Sequence, residues 1–473
     1  MSRLANGGGW RGGRQLAMKY RAWFFPILLF LLFAGCRQSA PATQDDGAAD
    51  IPTSTDDVAD ETLDQTEVDE GDIAKLPTRC IENWPVDPKA TPSPSLPIDN
   101  AGQVLWTKEV PGGSFEGPLA MAGERLAYVV GNTLTLVDRG GELVNTFMDP
   151  SSFGAVNGPV ADTNGNFYFG TANLISVTPD GEPRWRFVLG PDISQVAETT
   201  YTSQLTLSPD GILYFSATDG FLYALRASDG ELVWNRQVGL NKSGTGPLKA
   251  GYGIGDTIVT VRGHYHATTG EMSASPVVDG TEYWVGLASF SGLIAYYWDE
   301  AHYTFRIHAL DRCSEPKWSF PTDKYMDVVL AGFDDSLVGI YGDAAFIYSA
   351  TGEQQAGPAP LDFHYYPKAI GADGTLYYTY CTELYNKDAG EMSVQAYSPS
   401  LELLWSVELG KPCLDEPPVL ADDGVLYVLR WKYTPDVHLE LTAIQTASPG
   451  LANTAYPTLR SNNRRTGWIG GPQ

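Results

Sequence analysis

The sequence predicts an all-β protein, an eight-bladed β-propeller of four-stranded antiparallel blades, and three observations lead to this prediction. The chain has 473 residues, and its 50 Gly and 25 Tyr favour turns and strands over helices. A tryptophan-centred strand recurs along the chain, often after a turn that carries glycine and glutamate. The last repeat lacks this strand, whereas the first such strand has no repeat in front of it.

The repeat unit is clearest in GILYFSATDGFLYALRASDGELVW at 211–234, where two Asp-Gly turns separate short strands of alternating polarity. Eight units of about 43 residues are predicted, with one start near each of Pro118, Pro159, Leu205, Pro247, Pro276, Val328, Pro367 and Pro418. One four-stranded sheet has two open faces that it cannot bury alone. Radial stacking of the units buries both faces, which is the architecture of a propeller.

The recurring tryptophans are predicted to lie in the outer strands and to wedge between neighbouring blades, rather than to form a cofactor site. They are Trp106, Trp185, Trp234, Trp318 and Trp405. The unit that begins at Pro418 has only three strands of its own. We therefore expect the N-terminal strand VLWTKEV (104–110) to supply its fourth strand and to close the ring.

The N-terminus is predicted to be a lipoprotein signal peptide (residues 1–35), and Met18 is a candidate true start. An apolar run of 14 residues (22–35) follows a basic stretch, and it is short for a membrane span. The run ends in Phe-Ala-Gly-Cys, which resembles the lipobox of bacterial lipoproteins. Cys36 is therefore the predicted lipidation site, and an uncleaved signal anchor is the alternative.

Residues 36–100 are predicted to form a disordered, acidic and proline-rich tether. Twelve carboxylates and no Lys or Arg lie between Asp45 and Asp72. Such a segment cannot bury enough apolar surface to fold, and it lacks the spacing of a calcium loop. The chain has a net charge of −26, which excludes a nucleic-acid backbone as a partner because phosphates are repelled.

Residues 101–473 resemble the PQQ-type β-propeller repeat shared by quinoprotein dehydrogenases and by BamB-like lipoproteins of the outer-membrane assembly machinery. The phrase LYFSATDGFLYALRASDGELVW carries this resemblance, and the tail YPTLRSNNRRTG is similar to a segment frequent in bacterial proteins of this type, with Tyr456 in place of Trp. In the quinoproteins a pair of adjacent cysteines lies at the quinone. All five cysteines of this chain are isolated, so we expect no cofactor.

Strand order places the cysteines in pairs. Cys381 ends a second strand and Cys413 lies in the next connection between units, so both lie on one face and an exported protein would oxidise them. Cys313 lies in a third-to-fourth turn on the opposite face, and Cys80 remains as its partner by elimination. A metal site of these thiols lacks the usual C-x-x-C spacing.

Three long connections between second and third strands are predicted to enlarge one face, at 291–305, 381–392 and 430–438. Arg430 and Lys432 would add positive charge to the last of them. The aromatic residues of these loops are the type that anchors interfaces, and longer hairpins that merely pack on each other are the alternative. The candidate binding residues are Tyr296, Tyr297, Trp298, Tyr385, Trp431 and Tyr433.

Weaker signals do not support catalysis. His264 and His266 lie on the same side of one strand, but no third metal ligand is evident. No nucleophile elbow or zinc-protease motif occurs. We therefore expect a monomeric, non-catalytic scaffold for an envelope protein partner, anchored in the outer membrane because Arg37 follows the lipidated cysteine. The alternatives are a PQQ-dependent dehydrogenase and a surface receptor for a glycan or small ligand.

Overall fold

The computed structural model describes residues 80–469, all of which belong to one compact unit of the chain. The gaps are 87–88, 113–117, 150–157, 171–172, 190–204, 218, 240–249, 261–262, 275–276, 279–280, 283, 291, 300–303, 314, 323–325, 342–343, 361–364, 383–389, 412–416, 433–437 and 459. The signal peptide, Cys36, Tyr385, Cys413 and Tyr433 lie outside the described residues. Within them no helix is long and apolar enough to cross a membrane.

Strand β1 spans Val104–Val110, and the next sixteen strands form four consecutive sheets. The first sheet comprises β2 (Ala120–Ala122), β3 (Arg125–Val130), β4 (Thr133–Asp138) and β5 (Leu143–Met148). The second comprises β6 (Val160–Ala161), β7 (Phe167–Gly170), β8 (Asn173–Val177) and β9 (Pro183–Val188). The third comprises β10 (Thr206–Leu207), β11 (Ile212–Ser216), β12 (Phe221–Arg226) and β13 (Leu232–Gln237), and the fourth comprises β14 (Ala250–Ile254), β15 (Thr257–Thr260), β16 (His264–His266) and β17 (Met272–Ala274).

A small hairpin of β18 (Val277–Val278) and β19 (Thr281–Glu282) precedes the remaining sheets. The fifth sheet comprises β20 (Trp284–Ser289), β21 (Gly292–Asp299), β22 (Thr304–Leu310) and β23 (Pro316–Thr322). The sixth comprises β24 (Met326–Ala331), β25 (Leu337–Tyr341), β26 (Ala344–Tyr348) and β27 (Gln354–Pro360), with a 3-10 turn at Phe333–Asp335. The seventh comprises β28 (Tyr365–Ile370), β29 (Leu376–Cys381), β30 (Met392–Tyr397) and β31 (Leu403–Gly410), and the last strands are β32 (Val419–Leu420), β33 (Val425–Lys432), β34 (His438–Gln445) and β35 (Trp468–Ile469).

The described residues thus contain eight sheets of at least four strands, in the chain order that the repeats predict. Every pairing within the repeats is antiparallel, and short alternating segments joined by glycine turns explain this. The start of the fifth sheet was predicted wrongly. Its first strand is β20, because the apolar pair at 277–278 pairs with β19 in a separate hairpin.

The N-terminal strand completes the last sheet, whose order is β1-β34-β33-β32. The first and last sheets also share a hydrophobic cluster in which Leu126 and Tyr128 pack with Tyr427 and Leu439. A closed ring requires both features, since otherwise the apolar faces of the first and last sheets would be open to water. Closure of the ring and its count of eight blades stay predictions.

The outer-strand tryptophans lie between neighbouring sheets. The indole N–H of Trp185 in the second sheet donates to the carbonyl of Ala227 in the third sheet, at 3.0 Å. Trp234 donates in the same way to Ala267 of the fourth sheet, at 2.9 Å. Three residues after each carbonyl comes a glycine with positive φ, which in the third sheet is Gly230. The turn that contains this glycine and the following glutamate therefore packs against the tryptophan of the preceding unit.

Residues 80–100, which we call the strap, lie against the propeller instead of forming the end of a free tether. The amide of Ile81 donates to the carbonyl of Arg312 at 2.8 Å, and Ile81 is buried. Further along, the amides of Ser93 and Leu96 donate to the carbonyls of Ala372 and Ala447. These main-chain bonds explain why a proline-rich segment with little apolar surface is held in place.

The C-terminal segment (residues 447–469) runs along the inner edges of the sheets. The amides of seven first strands donate to it, through Met121, Ala161, Leu207, Gly253, Ala331, Ile370 and Leu420. In the fourth sheet β35 pairs with β14 as a parallel fifth strand. An inner edge strand has amides without a partner in its own sheet, and this segment supplies the acceptors.

We expect the substitution Gly230→Ala to lower the free energy of unfolding by about 3 kcal/mol. Gly230 has φ +78°, and an added Cβ would lie 2.6 Å from Cε3 of Trp185. Gly211→Ala is the matched control, since Gly211 has φ +76° but nothing lies within 4 Å of an added Cβ. Urea unfolding should show a loss of only about 1 kcal/mol for the control. Equal losses for the two variants would contradict the wedge role of Trp185.

Candidate functional site

The two kinds of connection in each sheet define two faces. The first-to-second turns at 123–124, 162–166, 208–211, 255–256, 290, 332–336, 371–375 and 421–424 form what we call the turn face. The end at which the second strand of each sheet finishes and its third strand begins is what we call the hairpin face. In an antiparallel sheet these connections lie at opposite ends of the strands.

The four candidate aromatic residues that the structure describes lie near the hairpin face, in strands. Tyr296, Tyr297 and Trp298 lie in β21, and Trp431 lies in β33. In the fifth and eighth sheets much of each predicted long connection is strand, which agrees with the alternative of longer hairpins. Their backbones pair to the tip, with Trp298 opposite Phe305 and Trp431 opposite Leu439.

The prediction that Arg430 adds positive charge to a loop is wrong. It is buried at 5% exposure in β33 and pairs across the sheet with Glu440, which accepts from Nη2 at 2.6 Å. Burial lowers the pKa of Arg430, and the adjacent carboxylate offsets part of this effect. The pair is therefore part of the packing of the eighth hairpin and does not present charge to a partner.

The disulfide between Cys80 and Cys313 confirms the second predicted cysteine pair. Cys313 lies between β22 and β23, in a third-to-fourth turn, so the bond fixes the start of the strap to the fifth sheet at the turn face. Cys381 is also disulfide-bonded. Its predicted partner Cys413 lies outside the described residues, so that pairing stays a prediction.

A cavity of about 380 Å³ opens at the turn face between the second and third sheets. It is lined by the first-to-second turns of both sheets, by the third-to-fourth turn of the third sheet, and by the C-terminal segment. The charged residues of its lining are Asp162, Arg184, Asp210, Arg226 and Arg464. The volume falls within the range of ligand pockets, roughly 300–1,000 Å³.

The walls of this cavity are fixed by hydrogen bonds between the two sheets. Asp162 accepts the hydroxyl of Tyr168 at 2.7 Å and two backbone amides of its own turn. Arg184 crosses to the third sheet, where the carbonyl of Ser228 accepts at 3.0 Å. Burial raises the pKa of Tyr168, so that it stays a neutral donor at every physiological pH.

Arg464 reaches the cavity from the C-terminal segment, and its carbonyl accepts from the amide of Ala161 at 2.9 Å. Burial lowers the pKa of the Arg464 guanidinium, and the Asp162 carboxylate acts in the opposite direction. The guanidinium nevertheless remains charged, because arginine does not lose its proton at physiological pH. The cavity therefore combines one partly buried cation with two more at its rim.

The two histidines considered as a metal pair have different surroundings. His264 is fully buried, and neither ring nitrogen has a hydrogen-bond partner among the described residues. His266 is half-buried, with Nε2 3.3 Å from a carboxylate oxygen of Asp256. No group of three or more His, Cys, Asp or Glu suited to a metal ion occurs in the described part of the chain.

We expect His264 to make the stability of the protein depend on pH. Burial lowers the pKa of His264 from 6.5 to about 4, so between these values the unfolded chain binds a proton that the folded chain does not. Stability should therefore be full above pH 6.5 and fall on acidification. Between pH 7.5 and 5 this residue should account for a loss of about 2 kcal/mol.

Urea unfolding of the wild type and of His264→Phe at several pH values measures this effect. The variant should lose that part of the pH dependence, whereas His266→Gln should keep it. The same slope for the wild type and His264→Phe would show that His264 is not the cause.

The candidate site residues that the sequence prediction missed are those of the cavity. Asp162 and Ser208 stand in ordinary hairpin turns, and nothing in the turn sequence marks them. The tail motif at 456–467 contains Arg464 and was noticed only for its resemblance. Adjacent arginines in a segment of otherwise small polar residues were the available signal, but only the folded chain brings them to the second and third sheets.

The repeat type identifies the class of protein. Residues 97–250 match the family model described as outer membrane protein assembly factor BamB. The prediction of a PQQ/BamB-like repeat protein is thereby confirmed. No curated protein matches the chain.

Two solved structures are similar to this chain. The computationally designed Ika8 protein has a TM-score of 0.52 and 12% identity, over 73% of this chain and 100% of the designed one. At this identity the likeness to Ika8 bears on the fold alone. BamB from Moraxella catarrhalis has a TM-score of 0.40 and 12% identity, over 72% of this chain and 99% of that one.

Proposed function

We propose that this chain is a membrane-anchored lipoprotein of the bacterial envelope, and that its propeller is a non-catalytic scaffold that binds a protein partner at the hairpin face. A role like that of an outer membrane protein assembly factor is the specific form of this proposal. The family match over residues 97–250 supports the choice of class. The location in the outer membrane follows from the lipobox and from Arg37.

The proposal rests on the positions of the Cys80 disulfide and of the long hairpins, which lie at opposite ends of the strands. The described chain begins at Cys80, which the disulfide holds at the turn face. A lipid on Cys36 would therefore be connected to that face. The long hairpins of the fifth and eighth sheets lie at the other end of the strands, away from this connection.

The shape of these hairpins suits a protein interface. Strand β33 has eight residues, whereas β7 at the same place in the second sheet has four. Four more residues extend a strand by about 13 Å. Such an arm carries Tyr and Trp at its end, and these residues give large contact area at a low entropic cost. The buried pair of Arg430 and Glu440 holds the eighth arm in one conformation.

Site-specific photo-crosslinking in intact cells tests the interface. A benzophenone amino acid placed at Tyr297 or Trp431 should crosslink to one envelope protein, and mass spectrometry should identify it as an outer-membrane assembly component. The same probe at Leu143 is the control, because Leu143 is 52% exposed on an outer strand away from the hairpin face.

With the probe at Tyr297, the crosslinked product should fall at least tenfold when Trp298, Trp431 and Tyr433 are replaced by Ala. Replacing Leu143, Leu232 and Leu403, which are exposed at the turn-face ends of their outer strands, by Ala should leave it unchanged. Equal crosslinking from Leu143 and from the hairpins, or no loss in the aromatic variant, would place the partner elsewhere.

Metabolic labelling with an alkyne fatty acid tests the anchor. The wild type should carry the label and Cys36→Ser should lose it, because the thiol of Cys36 is the acceptor of the lipid. Cys413→Ser should keep the label. Label that persists in Cys36→Ser, or an unlabelled wild type, would exclude lipidation at this cysteine.

A further inference from the structure

The strap shows what kind of molecule the turn face holds. It crosses the first-to-second turns of the fourth, fifth, seventh and eighth sheets. The indole of Trp84 donates to the carbonyl of Phe290 at 2.7 Å, and the amide of Ser93 donates to Ala372 at 2.7 Å. Most of these contacts are made by the strap backbone or to turn backbone, so the turns receive an extended polypeptide.

Close packing against turn glycines accompanies these bonds. A Cβ on Gly255 would lie 2.4 Å from the carbonyl oxygen of Glu82, and one on Gly424 would lie 2.9 Å from Cδ1 of Leu96. The absence of a side chain thus makes room for the strap at both turns. The same Gly occurs in the turn of the second sheet at Gly165 and in that of the third at Gly211.

The cavity between the second and third sheets lies at the same kind of turn as the one the strap contacts in other sheets. Among the described residues, the strap makes no contact with this part of the turn face. The floor of the cavity consists of the same first-to-second turns that hold the strap elsewhere. Near Gly211 an added Cβ would meet nothing within 4 Å. The turns of the second and third sheets are therefore open where the turns of other sheets hold the strap.

The charges at the cavity bear on the ligand it would hold. The lining has three guanidinium groups and two carboxylates, and the guanidinium of Arg226 is already held in ion pairs with Asp229 and Glu231. Asp162 already accepts hydrogen bonds from Tyr168, Asn164 and Asn166. The cation of Arg464 is partly buried, where an added carboxylate is attracted more strongly than in open solvent.

We propose that this cavity binds an extended peptide segment of a partner protein, and that an acidic side chain of the segment meets Arg464. The peptide lies across the turns of the second and third sheets as the strap lies across the others. This site is on the face opposite the long hairpins, so it is independent of the interface proposed above.

Selection of a displayed library of random 12-residue peptides on the full-length protein in detergent tests the proposal. The enriched peptides should share an Asp or Glu at one position. Synthetic copies should bind the wild type, and replacing that acid by its amide should weaken binding at least tenfold. Arg464→Gln should weaken binding in the same direction, since Arg464 is the cation that the acid of the peptide meets.

Thr163→Trp should block the cavity and weaken binding at least tenfold. Asp422→Trp is the matched control, because Asp422 has the same place in the turn of the eighth sheet and is 91% exposed. It should bind like the wild type, and near-equal unfolding midpoints verify that both variants fold. No enrichment, enrichment without a shared acid, or binding that survives Thr163→Trp would each overturn the proposal.

Discussion

The hydrogen-bond requirement of the inner strand edges is the constraint on which the rest of the structure depends. Short first strands converge where the sheets meet, and each has amides that face away from its own sheet. The C-terminal segment supplies carbonyl acceptors to seven of these strands. Arg465 strengthens this arrangement from within, since its fully buried guanidinium donates to the carbonyls of Leu119, Pro417 and Pro418. Both ends of the chain thus complete sheets that the repeats leave unfinished.

This arrangement gives the two faces different structures. The strap and its disulfide occupy much of the turn face, and the strap leaves open the cavity between the second and third sheets. At the hairpin face the strands of the fifth and eighth sheets are long. The same strands end at both faces, so the two faces differ because of the residues at and beyond the strand ends. Repeat folds generally acquire their sites in this way.

The repeat made most of the fold predictable. Strand order, the outer position of Trp185 and Trp234, and the pairing of VLWTKEV with the last sheet all follow from local periodicity and from the missing fourth strand. The errors arose where local pattern is ambiguous. An apolar pair at 277–278 looked like a first strand, and Tyr296 to Trp298 looked like a loop, because a long strand and an aromatic loop have the same composition. Arg430 looked exposed because its partner Glu440 is ten residues away.

By itself the sequence determined the all-β repeat architecture, since alternation, Asp-Gly turns and the recurring tryptophan are local signals that each unit repeats. It also indicated the Cys80–Cys313 pair by elimination, since strand order put Cys313 on the face opposite Cys381 and left Cys80 as its partner. Only the tertiary structure decided that the strap lies on the turns, that the tail feeds the inner edges and that Arg464 enters a cavity between two sheets. The contacts of the strap and most contacts of the tail join distant residues through backbone groups, which every residue carries, so no side-chain pattern announces them.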